Sequence, residues 1–148
     1  EIEALIELII QIYTDNKFRL PMYLHEELTD KIIRCFYNVY NGLGYGFLEK
    51  VYENALLIEL RNSGLVAENQ VSIKVHYLGL EVGNYYADIL VENKVILELK
   101  AGDMEQTIIN HELQLTNYLK ATNYEVGLLL LFGIKPQVKR KIFSNDIK

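Results

Sequence analysis

The sequence is short of cysteine, proline and positive charge, and it has no long apolar run. Its 148 residues include one cysteine, Cys35, which excludes an internal disulfide and any zinc or iron–sulfur site built from the cysteines of one chain. A reducing, cytoplasmic setting is the expectation. Any metal must then be held mainly by oxygen ligands, which suits Mg²⁺ or Mn²⁺. The two prolines, Pro21 and Pro136, lie near the ends, and no repeat, low-complexity tract or linker interrupts the chain. With 15 basic against 20 acidic groups, the net charge of −5 excludes a polybasic nucleic-acid arm. The most apolar stretch, Ile2 to Tyr13, is about half the roughly 20 residues that span a bilayer. It also has Glu1, Glu3 and Glu7 where a signal peptide carries positive charge, so no membrane partner is expected. What remains, 50% apolar and 24% charged residues, is the composition of one ordinary domain with a real core.

Hydrophobic periodicity divides the chain. In Ile2–Tyr13, Glu3, Glu7 and Gln11 recur at i+4 and leave the rest of a helix covered by Ile2, Leu5, Ile6, Leu8, Ile9, Ile10 and Ile12. Such a helix is either internal to the fold or the contact of a homodimer. We treat residues 1–27 as a helical extension and 28–148 as the main domain. After a break at Asp15–Pro21, Leu28, Ile32, Cys35, Phe36, Val39 and Leu43 recur at helical spacing and Gly42 and Gly44 end the pattern. A third helix is predicted from about Phe47 to Ser63, with Leu48, Val51, Tyr52, Ala55 and Leu56 on its apolar face. The period then changes to two. Strands are predicted over Val71–Tyr77, Val82–Val91 and Val95–Lys100, followed by a helix from about Glu105 to Thr122 and an apolar strand, Val126–Phe132. Val138–Phe143 reads equally as strand or helix. Helices, a three-strand meander, a helix and a strand give an α/β or α+β layer fold, and we take α/β.

The hairpin is the informative part. If Glu92-Asn93-Lys94 is a three-residue loop, Asp88 faces Glu98 and Tyr86 faces Lys100 across the strands. One sheet face then carries Ala87, Ile89, Val91, Val95, Leu97 and Leu99. The other carries Leu90 and Ile96, and then Asp88, Glu98 and Lys100 together at the far end. Two carboxylates about 5 Å apart repel by roughly 3 kcal/mol at an effective dielectric near 20. Lys100 offsets part of that, and a divalent metal would resolve it while polarising a phosphate and acidifying a bound water. A plain salt-bridge network at a sheet end fits the same spacing.

These residues also carry a family resemblance. Asp88 followed by Glu98-Leu99-Lys100 resembles the D…(D/E)xK signature of the PD-(D/E)xK nuclease superfamily. Gly46-Phe47-Leu48-Glu49-Lys50-Val51-Tyr52 resembles the motif that names one branch of it, the GxxExxY family. Tyr86-Ala87-Asp88 and the run His111–Lys120 are similar too, so the resemblance covers about Leu28 to Gly133. It implies a restriction-endonuclease-like core of helix, three-strand meander, helix and strand, here with an additional N-terminal helix. It further implies a divalent-metal-dependent nuclease acting on nucleic acid, DNA foremost. Glu49, Asp88 and Glu98 would be metal ligands, helped by the Leu99 carbonyl, with Lys100 completing the catalytic set. Gln114 and Tyr118 match a Gln-xxx-Tyr pair, and His111 and Tyr52 join them as expected substrate contacts. Ala87 stands where the signature usually has proline.

The residues themselves agree on several points. Glu49 falls in the first turn of its helix, where the dipole favours the ionised form. His111, Gln114 and Tyr118 form a polar stripe beside the apolar arc of Ile108, Leu115 and Leu119, either a substrate contact or the cap of a core. Glu59 lies in the apolar arc of the third helix, where a basic partner is expected. Tyr45, Tyr85 and Tyr86 are the better candidates for stacking on bases. Residues 1–60 hold five basic and ten acidic groups, and residues 61–148 hold ten of each. Lys135, Lys139, Arg140, Lys141 and Lys148 make the C-terminal segment basic, either a track for a phosphate backbone or a solvated edge. The alternative to an enzyme is a non-catalytic module that keeps the fold and binds nucleic acid or protein.

Overall fold

A computed structural model describes residues 1–14, 24–103 and 106–148. Five strands, β1 (Ala67–Tyr77), β2 (Leu80–Val91), β3 (Val95–Ala101), β4 (Val126–Phe132) and β5 (Pro136–Ile142), lie side by side in chain order. All neighbours are antiparallel except β3 and β4, which run parallel. Parallel strands need a crossover, and α4 (Ile108–Ala121) supplies it on one face of the sheet. Helices α2 (Glu26–Leu43) and α3 (Glu49–Asn62) cover the other face. This is the restriction-endonuclease-like order expected, with α1 (Ile2–Thr14) in front of it. Because α2 begins at Glu26, a division between residues 27 and 28 cuts its first turn. The expected break at Asp15–Pro21 and the start of the fourth helix at Glu105 lie outside the described residues.

Strand β4 is buried along its whole length, which is why its sequence is a continuous apolar run rather than an alternating one. The undecided segment after it is the antiparallel strand β5. Gly127 in β4 lets α4 approach. A Cβ there would lie 2.8 Å from Leu115 Cδ1, and Leu115 is buried. On α2, Ile32, Cys35, Phe36 and Val39 are buried as their spacing predicts, and Cys35 packs as an ordinary core residue.

Three expectations need correction. On α3 the buried arc is Tyr52, Glu53, Leu56, Leu57 and Leu60, whereas Leu48 and Val51 are exposed. The helix is rotated so that the i, i+3, i+4, i+7 series running from Glu53 to Leu60 faces the sheet. In β2, Ala87 packs on the α4 side with Ile73, while Ile89 and Val91 pack on the α2–α3 side. The alternation breaks at Gln70, which has a left-handed φ of 51°. The ladder skips there, passing from Asn69↔Ile89 to Val71↔Ala87, and leaves Gln70 and Asp88 out of register pairing. Finally, α1 is not internal. Its Ile2, Leu5, Ile6, Leu8, Ile9 and Ile10 are all exposed, because α2, α3 and α4 already occupy both faces of the sheet.

Candidate active site

The hairpin register is the one its loop length predicts: Val91↔Val95, Leu90↔Ile96 and Ile89↔Leu97. Glu92 and Asn93 both take left-handed φ, and the Lys94 N–H closes the turn on the Val91 carbonyl. Beyond Ile89 the recorded pairing stops, and a side chain takes its place. Asp88 Oδ2 accepts a hydrogen bond from the Leu99 N–H at 2.8 Å. Across the strands, the Asp88 N–H favours the ionised form of the Glu98 carboxyl. Asp88 thus satisfies the backbone of β3 with a charge-assisted bond that fixes its carboxyl in place.

This geometry changes the expected arrangement. Asp88, Glu98 and Lys100 do not share one face. Asp88 lines a recess of about 210 Å³ with Glu49, Lys50, Glu53 and Gln70, on the α3 side. Glu98 and Lys100 line a much smaller space with Tyr85, His111 and Gln114, on the α4 side. The two groups meet where β2 and β3 part. Lys100 Nζ lies 4.0 Å from Glu49 Oε1, and Glu49 Oε2 accepts from the Ala101 N–H at 3.4 Å. The Leu99 side chain is buried on the α3 side, and only its backbone belongs to the site.

Burial dominates the electrostatics. It pushes the Glu98 carboxyl up to about 7, against the pull of the Asp88 N–H and of Lys100. Asp88 and Glu49 are also raised, in each case mainly by burial. For Asp88 the Leu99 N–H is the largest opposing effect, and for Glu49 it is Lys100. His111 is lowered, first by burial and then by the Lys100 charge. All three acids thus hold their protons more tightly than free side chains do, because burial outweighs the N–H groups and the lysine that favour the charged forms.

The donor set fits a hard divalent cation: oxygens only, more acids than lysines, and a buried Glu98 Oε1 with no hydrogen-bond partner among the described residues. The acids are not drawn together into a tight cluster. Among the described residues no three Asp, Glu, His or Cys side chains form a group ready to hold a metal. Asp88 and Glu98 open into different spaces on the two sides of the sheet.

Of the expected substrate contacts, His111 and Gln114 open onto the Glu98–Lys100 space. Tyr118 stacks on Tyr85, with ring centroids 3.6 Å apart and planes at 10°. Tyr52 is elsewhere. It is fully buried, stacks on Phe132 at 4.2 Å, donates to the Gly44 carbonyl at 2.6 Å and accepts from the Phe47 N–H at 3.2 Å. Its hydroxyl is bonded to the loop before α3 and its ring is packed in the core, with no surface left toward a ligand.

Sequence reasoning passed over Glu53 and Gln70. Glu53 is only 4% exposed, forms an ion pair with Lys50 and accepts from Gln70 Nε2 at 2.7 Å. Its signal was its spacing, one turn after Glu49 and in phase with Leu56, Leu57 and Leu60. Glu59 meets Asn38 rather than a basic partner. The basic C-terminal segment is largely engaged: Arg140 holds Thr29 Oγ1, Lys141 pairs with Glu112 at 2.8 Å and Lys148 caps the Thr122 and Tyr124 carbonyls.

Comparison with known proteins bears on this geometry. The solved structure of SSO0001 is similar, with a TM-score of 0.51 and 19% sequence identity, over 84% of this chain and 63% of that one. At that identity the likeness concerns the fold alone, and the chain spans less than two thirds of that protein's length. No curated protein matches. No helix among the described residues is long and apolar enough to cross a membrane. The family model of the PD-(D/E)XK nuclease superfamily, whose nucleases generally use divalent metal ions, matches residues 26–141. The match runs from the start of α2 to the end of β5 and takes in Glu49, Asp88, Glu98 and Lys100, and the chain belongs to that superfamily.

Proposed function

We propose that this protein is a nuclease of the GxxExxY branch that hydrolyses the phosphodiester bonds of DNA with Mg²⁺ or Mn²⁺, in a reducing, cytoplasmic setting. The observation that carries the reading is the meeting of Asp88, Glu98, Lys100 and Glu49 where β2 parts from β3. Glu49, Asp88, Glu98 and the Leu99 carbonyl would hold the metal. A divalent ion bound there supplies polarisation of the phosphate and a more acidic attacking water. The chain's own residues do the rest. Lys100 offers an ammonium to orient the water and to meet the charge that develops on the phosphate. The Glu98 carboxyl gives up its proton as positive charge arrives, so metal binding releases protons near neutral pH. His111 and Gln114, at the edge of the same space, and Tyr118 beside them would contact the strand.

The exposed apolar surface of α1 supports a homodimer joined through that helix. A helix of this length is marginal on its own in water and gains its stability from packing.

The test is incubation with single- and double-stranded DNA and RNA in Mg²⁺, Mn²⁺ or EDTA, beside Asp88→Asn and Lys100→Ala. Metal-dependent cleavage of DNA that both substitutions abolish is the expected result. No cleavage of any substrate by the folded wild type would overturn it and favour a binding module.

A further inference from the structure

Two buried polar atoms on the α4 side have no hydrogen-bond partner among the described residues: Tyr85 Oη and Glu98 Oε1. Both residues line the same small space of about 10 Å³, together with Lys100, His111 and Gln114. Buried polar groups are almost always satisfied, by protein or by ordered water. A phenol is a donor and an ionised carboxylate an acceptor, so the two orphans are complementary. The space is about the size that holds one water molecule, and it offers that water several polar neighbours.

The Tyr85 ring is not free to turn elsewhere. It stacks on Tyr118 at 3.6 Å, and it lies in the part of β2 that the break at Gln70 has turned toward α4. At the other end of the pair, Glu98 lies on the same side of the sheet as Tyr85 and beside the Asp88 N–H, which favours its ionised form. We propose that Tyr85 is a positioning residue for Glu98: its hydroxyl donates to a single bound water in this space, and that water donates to Glu98 Oε1. The stack on Tyr118 holds the phenol in place. The arrangement fixes which way the carboxylate presents itself to a cation, while leaving it a second lone pair to bind with. The proposal deepens the nuclease reading and rests on it for the role of Glu98 as a metal ligand.

The test compares wild type, Tyr85→Phe and Tyr85→Leu. Tyr85→Phe removes only the hydroxyl and keeps the ring for the stack; Tyr85→Leu removes both. Titration calorimetry with Mn²⁺ is expected to show affinity about 10–100-fold weaker for Tyr85→Phe, the range found when an outer partner of a metal ligand is lost. Without metal it should lose no more stability than one buried hydrogen bond is worth, whereas Tyr85→Leu, which also loses the stack, should lose more. A merely structural role would make Mn²⁺ affinity follow that order of stability rather than fall with the hydroxyl. Crystal structures without metal should show one water within hydrogen-bond distance of Tyr85 Oη and Glu98 Oε1 in the wild type, and not in Tyr85→Phe. Equal Mn²⁺ affinity in the two proteins, or a dry space in the wild type, overturns the proposal. If the wild type binds no Mn²⁺, the metal-dependent reading fails by itself. The crystal structures then decide the Tyr85–water–Glu98 link alone.

Discussion

Burial pushes the Glu98 carboxyl up to about 7, and that shift has a consequence for stability. The folded state holds this proton more tightly than the unfolded chain, whose carboxyl titrates near 4.5. Between those values the folded state binds more protons, so stability falls as pH rises through the window. The loss is complete above about pH 7, and a shift of this size corresponds to at most about 3 kcal/mol. Glu49 and Asp88 are raised and add to the same trend, with Glu53 and Lys100 facing them. Melting curves in EDTA should show the wild type less stable at pH 8.5 than at pH 5.5. In Glu98→Gln most of that difference should disappear; an unchanged slope would show that Glu98 is not the group responsible. Glu53 gives a second prediction at this scale. Glu53→Ala removes a buried acid whose partners, Gln70 and Lys50, are exposed and can turn to water, so it should cost no more than about 0.5–1.5 kcal/mol in urea denaturation.

Among the elements, α4 lies so close to β4 at Gly127 that there is no room for a Cβ. Gly127→Ala places a methyl against the buried Leu115 side chain and should destabilise by about 1–3 kcal/mol, read from the shift in the urea midpoint. The β2–β3 hairpin shows both how far a sequence can be read and where the reading ends. Its register follows from loop length and alternation, and the ladder confirms it. Its faces do not follow, because Gln70, a residue of β1, flips the alternation of its neighbours and of the facing stretch of β2. Nothing in the spacing of Val71, Ile73 and Val75 announces that break. Likewise, the acidic pattern of α3 contains Glu53, but only the packing of Leu56, Leu57 and Leu60 turns it inward.

Taken whole, the described residues form a sheet covered on both faces and a helix, α1, whose apolar side chains are exposed. If α1 is a dimer contact, light scattering coupled to size exclusion should give a dimer for the wild type and a monomer for Leu5→Glu/Ile9→Glu, with an unchanged melting temperature for the main domain. A wild-type monomer would refute the contact. Charge also acts at this scale. The excess of acid lies within the first 60 residues, and Arg140, Lys141 and Lys148 are already engaged within the fold. Binding to DNA should therefore be weak without a divalent ion, with a shallow dependence on salt.

The sequence by itself determined the order of elements, the hairpin register, the central buried strand and the identity of the acids and lysine. These depend on local periodicity, turn length and residue chemistry, which neighbouring positions encode. Only the tertiary structure decided that Asp88 and Glu98 lie on opposite faces, that Tyr52 is spent on the core and that the apolar residues of α1 are exposed. Those outcomes depend on a left-handed residue one strand away, on the rotation of a helix and on which surfaces were already covered. Each is a contest between distant groups for the same space and the same hydrogen bonds.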